Sequence, residues 1–453
     1  MTAAPFDLVF RAPRVITAAG EVARCIAVRA GRVAAIEPLA AGLSGERTIT
    51  LPDSQVLLPG LVDTHVHVNE PGRTEWEGFA SATRAAAAGG ITTIVDMPLN
   101  SIPPTVDVAA LEVKRKAAEG QVHVDIGFWG GAIPGNLGEL RGLHDAGVFG
   151  FKCFLLHSGV DEFPHLDADE LEAYLQILAG FPALLLVHAE DSASIERAPS
   201  ARGDHYSDFL RSRPRGSENV AIAHVIEGAR WTGARVHILH LSSSDALPML
   251  RSARRDGVKI SVETCPHYLT FDAGTIPDGA TRFKCCPPIR DAANRERLWQ
   301  GLAEGVVDLV ASDHSPCPPE LKRPDSGDFG AAWGGISSLQ LGLSLVWTGA
   351  RRRGIELSRV IDWMATGTAA FAGLSNRGAI APGLAANLVI FAPEDSDRVH
   401  ATALHHRNPV TPYEGWTLDG VVRATYLRGE RIDHDHPQGQ LLSRNDQRTS
   451  SAN

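Results

Sequence analysis

The sequence predicts an α/β fold: a (β/α)8 TIM-like barrel with a small β-sandwich domain built from both chain ends. Three observations predict it. Eight short apolar segments alternate with helix-forming stretches through the middle of the chain. Segments of β type cluster before and after that block. The C-terminal ends of several apolar segments carry histidine, lysine or aspartate, and that end of a parallel barrel is where chemistry sits.

In chain order, residues 1–58 read as the first part of the sandwich. "DLVFRAPRVI", "CIAVRAGRVAAI" and "QVLLP" are short, alternating and separated by Gly or Pro. The barrel is expected over 59–380, with strands at 60–68, 91–98, 122–131, 147–156, 183–190, 235–242, 258–268 and 307–315. Stretches such as "GFASATRAAAAGG" and "DVAALEVKRKAAEG" supply the helices between them. Residues 381–436 return to β, and "ATYLRGERI" resembles "CIAVRAGRVAAI" as a hairpin half around a small turn. The polar stretch 437–453 is expected to be a disordered tail.

Composition narrows the class. The 453 residues are 44% hydrophobic and 21% charged, and carry a net charge of −10 with Lys and Arg scattered. That argues against a general phosphate-binding surface, so no nucleic acid partner is expected. No apolar run is long enough to span a bilayer, and the start lacks the pattern of a signal peptide. The six cysteines (25, 153, 265, 285, 286 and 317) have no CxxC spacing and suit reduced thiols of the cytoplasm.

The strand ends give the candidate site. "GLVDTHVHVNEPG" (60–72) puts His65 and His67 at i and i+2, on one side of a strand. Alone, that pair suits metal ligation or two polar residues leaving a strand. His188 in "LLLVHAE" suits a ligand or a hydrogen-bonded core histidine, and "SDH" (312–314) suits a turn. Joint placement of His65, His67, Lys152, His188, His240 and Asp313 at strand ends favours a metal, since imidazole and carboxylate are its usual ligands. Lys152 lies inside "GVFGFKCFLL", which reads as wholly buried. A buried amine loses its proton more easily. It could then react with carbon dioxide to form a bridging carbamate, serve as a Schiff-base lysine, or snorkel to the rim.

Longer motifs carry a resemblance. "DTHVHVNEPGRTEWEGFASATRAAAAGGITTIVDMPLN" (63–100), "GFKCFLLHSGVDEFP" (150–164), "YSDFLRSRPRGSE" (206–218), "ETCPHYLTF" (263–271), "KCCPPIRD" (284–291), "VASDHSPCPPELK" (310–322) and "WGGISSLQ" (333–340) together resemble the cyclic amidohydrolases, their allantoinase branch most closely. The resemblance covers the expected barrel and both flanks.

It implies a binuclear centre. His65, His67 and Asp313 would hold one divalent ion, His188 and His240 the other, and carbamylated Lys152 would bridge them. Zinc is the first expectation, with manganese, cobalt and iron also suited to such ligands. A shared hydroxide would attack the hydantoin-ring carbonyl of allantoin, and Asp313 would act as general base and then general acid to give allantoate. Substrate contacts are expected at Asn69, where dihydroorotases carry an arginine, and at Ser158, next to His157, where hydantoinases have a tyrosine. Cys286, which stands where relatives have serine, and Gly335 complete that set. The resemblance also implies a small-molecule partner, allantoin, and a homo-oligomer, commonly a tetramer. Three rival readings remain: a hydantoinase or dihydropyrimidinase on the same centre, a non-catalytic scaffold that has lost its ligands, and a one-metal deaminase, which generally lacks the strand-4 lysine. The loop 317–333 suits a lid or an ordinary surface excursion.

Overall fold

The computed structural model describes residues 6–446. β1 (Phe6–Thr17), β2 (Gly20–Arg29), β3 (Arg32–Glu37), β4 (Gly45–Thr50) and β5 (Val56–Pro59) open the chain. β6 (Leu61–Val66), β7 (Ile91–Asp96) and β8 (Asp125–Phe128) then form a parallel sheet. A second parallel sheet contains β9 (Gly130–Gly131), β10 (Phe151–Phe154), β11 (Leu184–His188), β12 (Arg235–Ile238), β13 (Ile260–Thr264) and β14 (Leu309–Val310). The strands fall inside the expected segments but are shorter. In "VKISVETCPHY" the chain leaves the strand after Thr264, and Pro266–Thr270 is a helical turn. Pro266 cannot donate to a sheet but suits the first turn of a helix.

The two parallel sheets meet at both margins. Only Trp129 separates β8 from β9, so 125–131 is one bent segment shared between them. At the other margin Val66 forms a parallel bridge with His314, and the His67 amide donates to the His314 carbonyl at 2.9 Å. "LVDTHV", "ITTIVD" and "LLLVH" are buried along their whole length, as strands are when helices cover both faces of a parallel sheet. Helices between the strands begin at defined points. Asp107, Asp167 and Asp291 each accept a hydrogen bond from the amide three residues on, satisfying a helix N-terminal donor.

β15 (Leu388–Arg398), β16 (Thr417–Leu427) and β17 (Glu430–Arg431) return to the opening strands. Where a sandwich is expected, hydrogen bonding runs through one mixed eight-stranded sheet, in the order β17-β16-β15-β5-β1-β2-β3 with β4 also on β1. The reason lies in β1. Its first half pairs with β4, the register slips between Ala12 and Val15 around Pro13, and Val15 then faces Leu57 of β5. Proline at an irregularity of this kind forfeits no ladder hydrogen bond. The two similar hairpins close alike: Ala30–Gly31 and Arg428–Gly429 all have positive φ, the conformation of a two-residue primed turn. The turns also touch, since a Cβ on Gly31 would lie 3.1 Å from Arg428 Cβ.

The C-terminal expectation needs correction. Residues 437–446 of the supposed disordered tail are ordered beside β8; 447–453 lie outside the described residues. Gly439 donates to Val122 O at 2.8 Å, Ile126 to Gln440 O at 2.9 Å and Leu442 to Ile126 O at 2.7 Å. Backbone pairing is indifferent to the polar composition that suggested disorder. Asp125 locks the junction, accepting from Arg377 at 2.9 Å, Arg428 at 2.7 Å and the Gln440 amide at 3.0 Å. Among the described residues no helix is long and apolar enough to cross a membrane.

Candidate metal centre

The parallel sheets bring all six expected side chains to one place. His65 lies in β6 with His67 just beyond it, Lys152 in β10 and His188 at the end of β11; His240 and Asp313 follow β12 and β14. Every one is buried. His240 (φ 37°) and Asp313 (φ 46°) adopt left-handed backbone, which costs energy in non-glycine residues and clusters at functional sites.

One half of the centre is tightly gathered. Asp313 Oδ1 lies 3.0 Å from His65 Nε2 and 3.6 Å from His67 Nε2, and the three ligand atoms are within 4.8 Å of one another. Each ring is held from its far side. Glu263 contacts His65 Nδ1, and Leu99 O lies 3.3 Å from His67 Nδ1. A proton on each Nδ1 directs both Nε2 atoms at Asp313, where a cation could replace the proton that His65 Nε2 shares with the carboxylate. Burial opposes charge on His65, but Asp313 and then Glu263 outweigh it and raise its pKa to about 9. Burial, joined by the Lys152 charge, lowers His67 to about 3. Burial would push Asp313 up; His65 beside it holds the carboxyl well below the usual range.

The other half is less satisfied. The His188 and His240 rings are 4.5 Å apart, and His188 stacks on Phe154 at 4.7 Å. His188 Nε2 lies 2.8 Å from Glu190 Oε2, and Glu190 accepts from Arg213 at 2.6 Å. His240 Nδ1 is buried and has no hydrogen-bond partner among the described residues. Lys152 Nζ lies 3.5 Å from His65 Nε2 and 4.8 Å from the Phe154 ring centre. Burial lowers its pKa to about 8, against the pull of Asp313.

This donor set fits divalent cations. Three buried imidazole and carboxylate donors converge in one half, and the other offers two adjacent imidazoles, one with an unsatisfied buried nitrogen. A second grouping, Cys265, His267 and Asp313, also has ligand atoms within 4.8 Å, and among the described residues neither His267 nitrogen has a hydrogen-bond partner.

The centre opens into a cavity of about 550 Å³. Ser158, Cys286 and Gly335 line it as expected, but the Ser158 hydroxyl is engaged by the carbonyls of Phe163 (2.6 Å) and Val160 (3.0 Å). Asn69 does not line it. It is buried, accepting from Asn100 Nδ2 at 3.1 Å, and Asn100 is the residue that reaches the cavity. Loop 317–333 is anchored at Phe329. Phe329 is buried against Tyr206 and Phe209, and its amide donates to Gly203 O at 2.9 Å.

Sequence reading missed Glu263, Glu190 and Arg213. Glu263 offered a signal, a carboxylate inside the strand "ISVET", by the same rule that singled out Lys152. Glu190 stands two residues past His188. Arg213 lies inside the motif "YSDFLRSRPRGSE", but nothing there points to its partner, 23 residues away.

Parallel strands whose ends gather histidines, a lysine and an aspartate over an open cavity define a hydrolase class. The amidohydrolase family pattern matches residues 56–432, and the chain belongs to that family, as an enzyme acting on a cyclic amide. Its relatives include allantoinases. One from Streptomyces avermitilis is 56% identical over 97% of this chain and 99% of its own. Those of Saccharomyces cerevisiae (48%, covering 83% and 82%) and Arabidopsis thaliana (42%, covering 92% and 86%) are similar too. Among solved structures, the L-hydantoinase of Arthrobacter aurescens matches with a TM-score of 0.88 at 29% identity over 96% of this chain and 97% of its own. The D-hydantoinase of Thermus sp. matches at 0.86 with 25% identity, over 96% and 99%.

Proposed function

We propose that the protein is an allantoinase, opening the hydantoin ring of allantoin by hydrolysis of one amide bond to give allantoate. The observation that carries the reading is 56% identity to an allantoinase along nearly the full length of both chains, with five of the six side chains lining one cavity and His65 behind Asp313. Closure of the two parallel sheets into a (β/α)8 barrel accompanies it, supported by the shared segment 125–131 and the Val66–His314 bridge. The mixed terminal sheet then wraps its own core as a β-sandwich, consistent with the fold of the hydantoinase neighbours.

His65, His67 and Asp313 would hold one divalent ion, and His188 and His240 a second. Lys152, as its carbamate, would bridge them; its buried amine and depressed pKa suit that conversion. Such ions, zinc foremost, supply Lewis acidity and an activated water at neutral pH. The residues do the rest. Glu263 and the Leu99 carbonyl fix the tautomers of His65 and His67, and Glu190 that of His188. Asp313, held as a carboxylate, takes the water's proton on Oδ and delivers it to the departing ring nitrogen. We take the enzyme to be a homotetramer of the cytoplasm, in keeping with its six unpaired cysteines.

The solved neighbours favour one competing substrate class, hydantoins and dihydropyrimidines. A rate comparison on allantoin, hydantoin, dihydrouracil and dihydroorotate separates them. Allantoin is expected to have the highest kcat/KM; preference for dihydrouracil would overturn the substrate assignment.

A further inference from the structure

Residues 330–335, all but Ala331, form part of the cavity wall, and two lysines grip their carbonyls. Lys322 Nζ donates to Trp333 O at 3.0 Å and also to Gly335 O. Lys284 Nζ donates to Ala332 O at 2.6 Å and Gly330 O at 3.1 Å. Four carbonyls within six consecutive residues are thus gathered by two ammonium groups. Lys284 holds the wall twice, because its own carbonyl accepts from the Gly335 amide at 2.8 Å. The Trp333 amide donates to Leu321 O at 2.8 Å, closing the loop on itself.

This is a costly way to hold a loop. Both lysines are buried, and both direct their donors at main-chain carbonyls in place of a carboxylate. Neutral dipoles offset the desolvation of a buried charge only in part, and burial accordingly lowers the pKa of each. The wall is also seated without slack. A Cβ on Gly330 would lie 2.2 Å from Ala201 O, and one on Gly335 would lie 2.2 Å from Ser315 O. Gly330, Ala332, Trp333, Gly334 and Gly335 all line the cavity, as do Lys284 and its neighbours Cys285 and Cys286, whereas Lys322 does not.

We propose that Lys284 and Lys322 are positioning residues: their ammonium groups hold residues 330–335 as a fixed wall of the cavity and thereby set the affinity for the ring. The inference rests on the allantoinase reading for its choice of substrate. The test uses Lys284→Met and Lys322→Met in the full-length, metal-loaded enzyme. Each is expected to raise KM for allantoin about tenfold or more while kcat stays within about threefold, since ångström-scale misplacement of a binding wall costs up to about a hundredfold. Bound metal should be unchanged. Amide exchange across 330–335 should accelerate at least about tenfold, with 184–188 unaffected. Should Lys322→Met not fold, Gly330→Ala distorts the same wall with both lysines intact and should raise KM alike. Unchanged exchange would show that the lysines do not hold the wall. Faster exchange with unchanged KM would show that the wall does not set affinity, and metal lost together with kcat would make the lysines merely structural. If the wild type fails on allantoin, the substrate reading falls, while the exchange result still judges the lysines.

Discussion

β1 is half buried and β6 wholly buried, and they bury different things. β1 contributes Leu8, Phe10, Ala12 and Val15 to the apolar core of the terminal sheet. β6 buries Asp63 and His65 within six residues, and His67 follows at once. Apolar burial stabilises by about 25 cal/mol per Å². Buried ionisable groups cost free energy unless each finds a partner. Even a partnered one pays: burial raises the Asp63 pKa to about 6, although its carboxylate accepts from the His65 amide at 3.1 Å and the Ser312 amide at 3.2 Å. The terminal sheet is therefore a stabilising region and the strand ends a functional one, and changes in the two should separate stability from activity.

The largest effect is expected at Lys152. Lys152→Ala should lower kcat/KM by about a thousandfold or more, with partial recovery on adding short-chain carboxylic acids. Full activity without such acids would remove the bridge. Next is Glu263→Gln, which keeps the volume but weakens the grip on His65 and His237. Metal affinity should fall about 10- to 100-fold, read by competition with a chelator. Phe10→Ala should do the reverse. It should cost about 3–5 kcal/mol in denaturant unfolding and leave the kcat of the folded enzyme intact.

The most gradual effect is in pH, on the metal-free protein. His67, lowered to about 3, and His267, lowered to about 4 by burial, bind fewer protons folded than unfolded. Stability should therefore fall as pH drops below about 6.5, by up to about 1.4 kcal/mol per pH unit for each group. His65 runs the other way. Raised to about 9, its contribution is complete below about 6.5 and is lost as pH climbs through 9. Metal loading demands neutral imidazoles, so it should abolish the alkaline loss at His65 and keep or steepen the acid loss. Identical profiles with and without metal would place these histidines outside the centre.

Much of this was legible in the sequence because strand ends are local features. The two-residue spacing of His65 and His67, and a lysine within "GFKCFLL", are visible without knowing the fold. What escaped depended on distant partners. Glu263 acquires its role from His65, 198 residues away, and from His237 on the neighbouring strand. Asn69 looked like a substrate contact because it follows the histidines, yet its side chain turns to Asn100. Residues 437–446 looked disordered because their composition is polar, but their backbone found an open strand edge at Val122–Ile126.

The central claim is that six side chains from separate strands hold paired cations, and metal content tests it most directly. Measured by mass spectrometry on one preparation each of wild type and Lys152→Ala, it should be about two ions per wild-type chain, falling clearly in the variant. A wild-type protein that opens allantoin while retaining no metal after exhaustive chelation would contradict the account.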